Sequence, residues 1–246
     1  MQDLLNIGTY NIHRCVGADH RYDIERIARV IRQLDCDTVG LQEVEHRPGL
    51  SLDRRQLEFL ANATEMQAVA GQRPDPDCPH YGNALLTRRE VGRVRRHNLT
   101  FDGREPRGAL DVEILVGGQV VRVIVTHLGL RGAERRYQVD KLLSLLREIQ
   151  ADRMVVVLGD INEWLPVGRP VRWLNSHLGK PPGHVRSFPV WAPVLGLDRI
   201  WARPARLLLS VRVHRSRDAR AASDHFPVKA RVATELPRRR GDEARV

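Results

Sequence analysis

The stretch MVVVLGDIN, residues 154–162, places five apolar residues in a row and ends in a carboxylate and an amide. A continuous apolar run of this length is typical of a β-strand covered on both faces, so we expect a buried strand over Met154–Leu158. The carboxylate that follows it, Asp160, needs a partner, because burying an unpaired charge is costly. A simpler alternative is that Asp160 and Asn162 only start a helix.

Three further predicted strands end in the same way, with a polar side chain at or just after the last apolar residue. These are Leu4–Ile12 with Asn11, Thr38–Leu41 with Glu43, and Val120–Thr126 with His127. In layered α/β folds such strand ends gather at one edge of a sheet. We therefore expect one site built from segments far apart in sequence, although each side chain alone fits an ordinary surface or structural role equally well.

The remaining pattern predicts three helices and four more strands. The helices are Asp23–Leu34, Asp53–Thr64 and Glu134–Ile149, and the strands are Ala84–Thr87, Ala109–Val116, Leu207–Val213 and Val228–Val232. Gly117 and Gly118 form a hairpin turn signal between two of the strands. Residues 71–80 are expected to be a loop, and residues 165–196 to be irregular because they are rich in proline.

Length and composition favour one α/β domain with an anionic partner. The chain has 246 residues, of which 42% are hydrophobic, and it has no linker-like stretch, so we expect one catalytic domain over residues 1–233 and a charged, disordered tail over 234–246. The net charge of +10 suggests nucleic acid, a phospholipid surface or a phosphorylated small molecule. Only three of the 40 basic residues are lysines, and an arginine excess can also reflect codon bias, so both explanations stay open.

The cysteines and the apolar runs point to a reducing compartment. Cys15, Cys36 and Cys78 are odd in number and show no paired spacing, which disfavours a disulfide framework and a zinc cluster. The first apolar run belongs to the fold rather than to a signal peptide, and no run approaches the length of about 20 residues that crosses a membrane. We expect a cytoplasmic protein without a transmembrane segment.

The polar residue types suit phosphoester hydrolysis. That reaction needs a cation for the charge on the phosphoryl oxygens, an oriented water, and donors to the oxygens. Mg²⁺ or Mn²⁺ prefers oxygen ligands, and histidines can transfer protons near neutral pH. The oxygen ligands available are Asn11, Glu43, Asp160, Asn162 and Asp224, and the histidines are His127 and His225.

Seven short motifs occur in a fixed order and together are far more specific than any one of them. Between residues 9 and 228 they are TYNIH, LQEVE, YGNALLTR, THLGL, GDINEW, LDRIW and SDHFPV. This succession resembles the endonuclease/exonuclease/phosphatase superfamily, which includes deoxyribonuclease I, apurinic endonucleases, neutral sphingomyelinases and inositol polyphosphate 5-phosphatases. The resemblance implies a four-layer α/β sandwich, in which two mainly antiparallel sheets lie face to face with helices outside.

The resemblance also implies a Mg²⁺ or Mn²⁺ cofactor and a role for each matched residue. The implied metal ligands are Asn11, Glu43 and Asp224, and the implied catalytic residues are His127, Asp160, Asn162, Asp198 and His225. Asp160 would orient or deprotonate the attacking water, and Asn162 would donate to the phosphoryl oxygens. Asp198 would fix the imidazole of His225 at the scissile phosphate. His127 matches the candidate acid for the leaving group.

Substrate contacts are expected from Tyr81 and Asn83, although an ordinary loop would look the same. Arg104 and Arg107, just before a strand, are expected to face the phosphate-binding edge, with a solvated start of the strand as the alternative. A nuclease would use them along a nucleic-acid backbone, together with Arg131, Arg135 and Arg136. A sphingomyelinase-like phosphodiesterase would use the same charge against lipid headgroups.

Two other functions are disfavoured. Apurinic endonucleases carry a Tyr-Val-Pro-Asn stretch where this chain has Val125-Thr126-His127-Leu128, so repair of abasic sites does not match. A basic nucleic-acid-binding domain on an inactive hydrolase scaffold would not need every catalytic position to be filled. The sequence does not indicate an oligomeric state.

Overall fold

The computed structural model describes residues 4–46, 55–71, 80–183 and 185–234. The described strands are β1 (Leu4–Asn11), β2 (Thr38–His46), β3 (Gln67–Ala70), β4 (His80–Thr87), β5 (Val91–Asn98), β6 (Gly108–Val116), β7 (Gln119–His127), β8 (Met154–Asp160), β9 (Asp198–Arg203), β10 (Leu208–Val213) and β11 (Val228–Ala233). The described helices are α1 (Ile24–Leu34), α2 (Gln56–Thr64), α3 (Gly132–Glu148), α4 (Arg169–Leu178) and α5 (Arg217–Ala222). No helix within these ranges is both long and apolar enough to cross a membrane.

The strands form two mainly antiparallel sheets. One has the order β10-β11-β1-β2-β4-β3 and the other β5-β6-β7-β8-β9. Each sheet contains one parallel pair, β1 with β2 and β7 with β8, and its other pairs are antiparallel. The expected four-layer sandwich is confirmed.

Three apolar clusters hold the layers together. The central cluster joins the two sheets, with Ile7 and Leu85 from one and Val125 and Val156 from the other. A second cluster packs α1 and α2 on the outer face of the six-stranded sheet, and a third packs α3 and α4 on the outer face of the five-stranded sheet. Burying apolar surface on both faces of each sheet is the main stabilising contribution.

The prediction that the apolar run of residues 154–158 is a buried strand is confirmed by β8. Every residue of the strand is buried. Val156 and Leu158 point into the central cluster, whereas Val155 and Val157 pack in the cluster under α3. A strand covered on both faces has no need for polar alternation, which is why its sequence is continuously apolar.

The pairing of the strands brings the polar strand ends together. In the parallel pair β7–β8, His127 lies opposite Asp160, and across the antiparallel pair β8–β9 Asp160 lies opposite Asp198. The parallel pair β1–β2 ends with Asn11 opposite Gln42, one residue before Glu43. These registers, and not the sequence spacing, determine which side chains can meet.

Several elements differ from the sequence-based expectations. The expectation that residues 165–196 are irregular is wrong, because α4 runs from Arg169 to Leu178 with Pro170 in its first turn, where a proline is tolerated. Strands β3, β5 and β9 and helix α5 were not predicted, and β4 begins four residues before the expected strand. The hairpin at Gly117 and Gly118 is confirmed, and both glycines have positive φ, as a type I′ turn requires.

Three expectations fall wholly or partly outside the described residues. They are the loop over 71–80, apart from Gly71 and His80, the first residues of the helix expected from Asp53, and the tail after residue 234.

Candidate active site

The carboxylate of Asp160 is buried at the end of β8 and is surrounded by polar groups. Its Oδ1 accepts a hydrogen bond from the backbone N–H of Asn162 at 2.9 Å, and its Oδ2 accepts one from Nδ2 of Asn11 at 3.1 Å. The Nε2 atoms of His127 and His225 lie 3.5 and 3.8 Å from the same Oδ2. A buried carboxylate is stable only when donors such as Asn11 and the backbone of Asn162 satisfy it.

Asn11 joins the two sheets through its side-chain amide. Nδ2 donates to Oε1 of Glu43 and to Oδ2 of Asp160, each at 3.1 Å, while Oδ1 accepts from the backbone N–H of His13 at 3.0 Å. Glu43 is in a left-handed conformation with φ of 57°, where the pairing of β2 with β4 shifts register. Two carboxylates thus converge on one amide, and because like charges repel, a cation would stabilise this arrangement further.

Asp198 and His225 form the pair that the motifs predicted. Nδ1 of His225 lies 2.8 Å from Oδ2 of Asp198, and the hydroxyl of Ser187 donates to the same oxygen at 2.5 Å. The ring of Phe188 packs against the imidazole with a centroid distance of 4.7 Å. With Nδ1 committed to the carboxylate, Nε2 of His225 is directed towards Asp160.

The charges around His225 favour its protonated form. Burial by itself would lower the pKa of His225, but the charge of Asp198 and its hydrogen bond, together with the charges of Asp160 and Asp224, outweigh burial and raise the pKa to about 10. The ring is therefore an imidazolium at neutral pH.

His127 is in the opposite state. Burial and the charges of Arg107 and His225 lower its pKa to about 3, against the opposing effect of Asp160. Nδ2 of Asn162 lies 3.0 Å from Nε2 of His127 and donates to the backbone oxygen of Leu128 at 2.8 Å. A neutral ring that accepts the amide hydrogen accounts for the short contact, so His127 orients Asn162.

Asp224 lies at the margin of this cluster. Its side chain is 40% exposed, and Oδ1 is 3.8 Å from Nδ1 of His13. The hydroxyl of Ser223 connects it to the cluster, because Oγ donates to the backbone oxygen of Asn11 at 2.8 Å and lies 3.3 Å from Oδ1 of Asp224.

A narrow cavity beside His127 brings together two of the three residues expected to bind substrate. Asn83 and Arg107 both line it. Arg107 is buried and pairs with Glu105, and its Nε has no hydrogen-bond partner among the described residues. Arg104 is exposed in the preceding turn. Tyr81 belongs to β4, but its side chain lies outside the described part.

Three residues that support the site were assigned no role from the sequence. Ser223 precedes Asp224 in the SDHFPV motif, so the motif contained a signal for it. Ser187 and Phe188 lie in the proline-rich stretch expected to be irregular, where no pattern marks them. Their roles depend on the tertiary fold, because Ser187 meets Asp198 and Phe188 meets His225 only after folding.

A metal ion could be held in two ways. Ligand atoms of Asp160, Asp198 and His225 lie within 4.8 Å of one another. However, Nδ1 of His225 and Oδ2 of Asp198 are already hydrogen-bonded at 2.8 Å, so this group does not need an ion to be stable. Glu43 and Asp160 instead offer carboxylate oxygens, which a hard divalent ion prefers, and Asn11 would add its amide oxygen only after its side chain turns, because Nδ2 now faces both carboxylates.

The sequence profile of the Endonuclease/Exonuclease/phosphatase family matches residues 8–225. Among curated proteins, the chain is similar to the uncharacterized protein YbhP of Escherichia coli strain K12, with 30% identity over 91% of this chain and 94% of that protein.

Solved structures with the same fold cover nearly the whole chain. The endonuclease/exonuclease/phosphatase from Bacteroides vulgatus superposes with a TM-score of 0.76 at 19% identity, over 95% of this chain and 99% of that one. The protein from Beutenbergia cavernae DSM 12333 gives 0.73 at 23% identity, over 94% and 72%. D. rerio TDP2 complexed with a single-strand DNA product gives 0.67 at 19% identity, over 94% and 99%. At these identities the likeness concerns the fold.

Proposed function

The chain belongs to the endonuclease/exonuclease/phosphatase family, and from this premise we propose that it is a divalent-metal-dependent hydrolase of phosphoester bonds, of the nuclease or phosphodiesterase type. One observation carries the proposal: Asn11, Asn162, His127 and His225, from separate segments, all surround the buried carboxylate of Asp160. An ordinary structural carboxylate needs donors, but it does not need two imidazoles at 3.5 and 3.8 Å.

Asn11, Glu43 and Asp160 would hold Mg²⁺ or Mn²⁺, and Asp224 is the additional ligand proposed at the margin. The convergence of Glu43 and Asp160 on one amide at 3.1 Å supports this assignment. When bound, the ion would neutralise charge on the phosphoryl oxygens.

The other catalytic roles are proposed for Asp160, His225 and Asn162. Asp160 orients the attacking water and can accept its proton, because hydrogen bonds hold the carboxylate in place. His225, kept protonated by Asp198, presents Nε2 to the negative charge that develops on the phosphoryl group. Asn162 is held by hydrogen bonds to His127 and Leu128 that use both hydrogens of Nδ2, so it would have to release one of them to donate to a phosphoryl oxygen.

Two roles can be considered for His127. To act as the acid for the leaving group, it must first gain a proton, and its lowered pKa opposes this. Holding Asn162 in place needs no proton and agrees with the 3.0 Å contact. We therefore propose orientation of Asn162 as the primary role of His127.

Purified full-length protein tested on three phosphodiesters would examine the activity. The panel is plasmid DNA, sphingomyelin and bis-p-nitrophenyl phosphate, each with Mg²⁺, with Mn²⁺ and with EDTA, and with an Asp160→Asn variant as control. We expect hydrolysis of at least one substrate, its loss in EDTA, and a loss on the order of 10³-fold in the variant. Full activity in excess chelator, or an unaffected Asp160→Asn enzyme, would contradict the proposal.

The same panel separates the substrate classes. The structural similarity to a protein solved with a DNA product supports testing DNA first. Preference for sphingomyelin would favour the phospholipid alternative. Binding of DNA without turnover of any substrate would favour a basic binding domain on an inactive scaffold.

A further inference from the structure

Six large apolar side chains are exposed on three loops of the five-stranded sheet. They are between 61% and 78% exposed. We call them the apolar rim: Leu130, Trp164, Leu165, Val167, Trp191 and Val194. Single exposed apolar residues are ordinary, but several on neighbouring loops, two of them tryptophans, mark an interaction surface.

The three loops leave the same end of the sheet as the candidate active site. Leu130 follows the end of β7, and Trp164 follows the end of β8, two residues after Asn162. The segment with Trp191 precedes β9, which runs antiparallel to β8, so it also lies at this end. A hydrogen bond of 2.9 Å from the backbone of Ile161 to that of Leu197 joins the second and third loops.

A buried ion pair fixes the first two loops against each other. Nε of Arg135 lies 3.3 Å from Oε2 of Glu163, and both side chains are buried. Arg135 also donates to the backbone oxygen of Leu130 at 2.6 Å, while Glu163 accepts from the backbone N–H of Leu165 at 3.2 Å. The rim residues are therefore presented by a fixed backbone, since removing either partner would leave a buried charge unpaired.

The loop segments that carry the apolar rim contain charged side chains of one sign only. The segments 128–131, 164–172 and 185–197 contain no aspartate or glutamate. Their four arginines are all exposed: Arg131, Arg169, Arg172 and Arg186. A cavity of about 490 Å³ next to Val167 is lined by three cations, Arg172, Lys180 and Arg199.

We propose that the apolar rim docks on the surface of an anionic phospholipid bilayer. Tryptophans and aliphatic side chains enter the headgroup region, and the flanking arginines meet the lipid phosphates, the combination that interfacial binding uses. The adjacent cationic cavity is large enough to receive a headgroup.

Other occupants match this surface less well. A second copy of the chain would bring a face of the same positive charge. Nucleic acid would pair with the arginines, and its bases would stack on Trp164 and Trp191, but it gains nothing from the four exposed aliphatic side chains of the rim. A bilayer complements both the charge and the apolar surface.

Vesicle co-sedimentation of the full chain tests the proposal. The probes are vesicles of pure phosphatidylcholine and vesicles of equimolar phosphatidylglycerol and phosphatidylcholine. The rim variant is Trp164→Ser with Leu165→Ser. The matched control is Leu115→Ser with Val120→Ser, which changes two exposed apolar residues beside the β6–β7 hairpin, at the opposite end of β7 from His127.

We expect the wild type to sediment with the anionic vesicles and the rim variant to bind them at least about tenfold more weakly. The control should bind like the wild type. Arg172→Glu with Lys180→Glu should weaken binding to the anionic vesicles only. Circular dichroism of each variant checks that it is folded.

Tryptophan fluorescence gives a second measurement, which uses substitutions that keep the rim residues aromatic and apolar. Trp164→Phe with Trp191→Phe keeps an apolar rim, so it should still sediment. It should lose the blue shift on adding vesicles, because Trp201 is fully buried and Trp173 is packed against the cluster under α3.

Three results would overturn the proposal. These are no preference of the wild type for anionic vesicles, equal binding by the rim and hairpin variants, and a wild-type dimer that the rim variant converts to a monomer. The last would assign the rim to a second copy of the chain. Vesicle binding needs no turnover, so this test and the hydrolase assay can fail independently.

Discussion

Asp198 shows how one buried residue can determine the state of another. Its Oδ2 contacts both Nδ1 of His225 and the hydroxyl of Ser187. The carboxylate fixes the orientation of the ring and keeps it protonated, so Nε2 carries a hydrogen towards Asp160. The two residues are 27 positions apart in the chain, and only the fold makes them one unit.

We predict that Asp198→Asn keeps the fold and lowers kcat on the order of 10²-fold or more, by analogy with other histidine–carboxylate pairs. His225→Ala should lose at least as much. Residues that act as a unit are non-additive, so the double variant should be little worse than His225→Ala alone. Steady-state kinetics of the four proteins measures this. Losses that simply multiply would mean that the two residues act independently.

Arg107 and Arg104 are close in sequence, but they lie in different surroundings. Arg107 is buried in the cavity beside His127, whereas Arg104 is exposed in the turn before it. We predict that Arg107→Ala raises KM and flattens the salt dependence of an anionic substrate. Arg104→Ala is the matched control and should have the smaller effect.

The thermal midpoint of each arginine variant separates lost binding from lost folding. An unchanged KM for folded Arg107→Ala would mean that this arginine only supports the loop. An equal effect of both substitutions would indicate general charge rather than the cavity.

At the scale of elements, the strands and turns that were predicted correctly are those in which one physical pattern dominates the local sequence. β8 is continuously apolar because both faces are buried, and Gly117-Gly118 has a conformation that favours glycine. β5, in contrast, is an edge strand rich in arginine, and its burial pattern does not alternate cleanly. α4 was missed because it contains Pro170 and lies in a proline-rich stretch, although a proline in the first turn does not interrupt a helix.

The site was predicted by motif and completed by packing. Each motif places one side chain at a strand end, and strand register then brings Asp160 opposite both His127 and Asp198. The bulge that turns Glu43 and the supporting contact from Ser187 leave no mark in the local sequence. Such features arise between elements, where a single sequence carries little information.

A polar ladder stabilises the outer face of the five-stranded sheet. Asp111 on β6 is fully buried and accepts hydrogen bonds from Arg122 on β7 at 2.7 and 2.5 Å, with Nε2 of His97 on β5 at 3.0 Å. Burial alone would raise the pKa of Asp111, but the hydrogen bonds from His97 and Arg122 outweigh it and lower the pKa.

We predict that Asp111→Asn lowers the free energy of unfolding at neutral pH by about 1.5–3 kcal/mol, because the guanidinium of Arg122, which is 15% exposed, loses its charge partner. Glu113→Gln, on the same strand as Asp111, removes a more exposed pair with Arg95 of β5 and should cost less than about 1 kcal/mol. Denaturant unfolding measures both. Equal losses would mean that burial does not set the strength of these pairs.

The direction of the pH dependence follows from the lowered pKa. A carboxyl whose pKa is lower in the folded state stabilises the protein above its unfolded value, and this contribution disappears as the pH falls through the folded value. The Asp111 contribution should therefore decline below the ordinary carboxyl value of 3.8 and be lost completely only below the lower pKa of the folded state. Wild type and Asp111→Asn should converge in stability there, and a constant difference down to low pH would contradict the assignment.

At the scale of the whole molecule, the candidate site lies between the two sheets. Asn11 and Glu43 come from the six-stranded sheet, whereas Asp160 comes from the five-stranded one. An ion held by all three would connect both halves of the sandwich, so its binding should be coupled to the stability of the fold rather than of one loop.

We therefore predict that Mg²⁺ or Mn²⁺ raises the melting temperature of the protein. An ion that binds only the folded state stabilises it by about 2.7 kcal/mol at a concentration of 100 times Kd. For a chain of this size, that corresponds to a rise on the order of 5–10 °C. Glu43→Gln should abolish most of the rise with little effect on the melting temperature in EDTA, because the amide oxygen can still accept from Asn11. Glu58→Gln changes an exposed carboxylate on α2 and should behave like the wild type. Calorimetric scans with ion and with EDTA measure the rise without any substrate. A shift that Glu43→Gln leaves intact would place the ion elsewhere, and the buried group of Asp160, Asp198 and His225 would then become the alternative site.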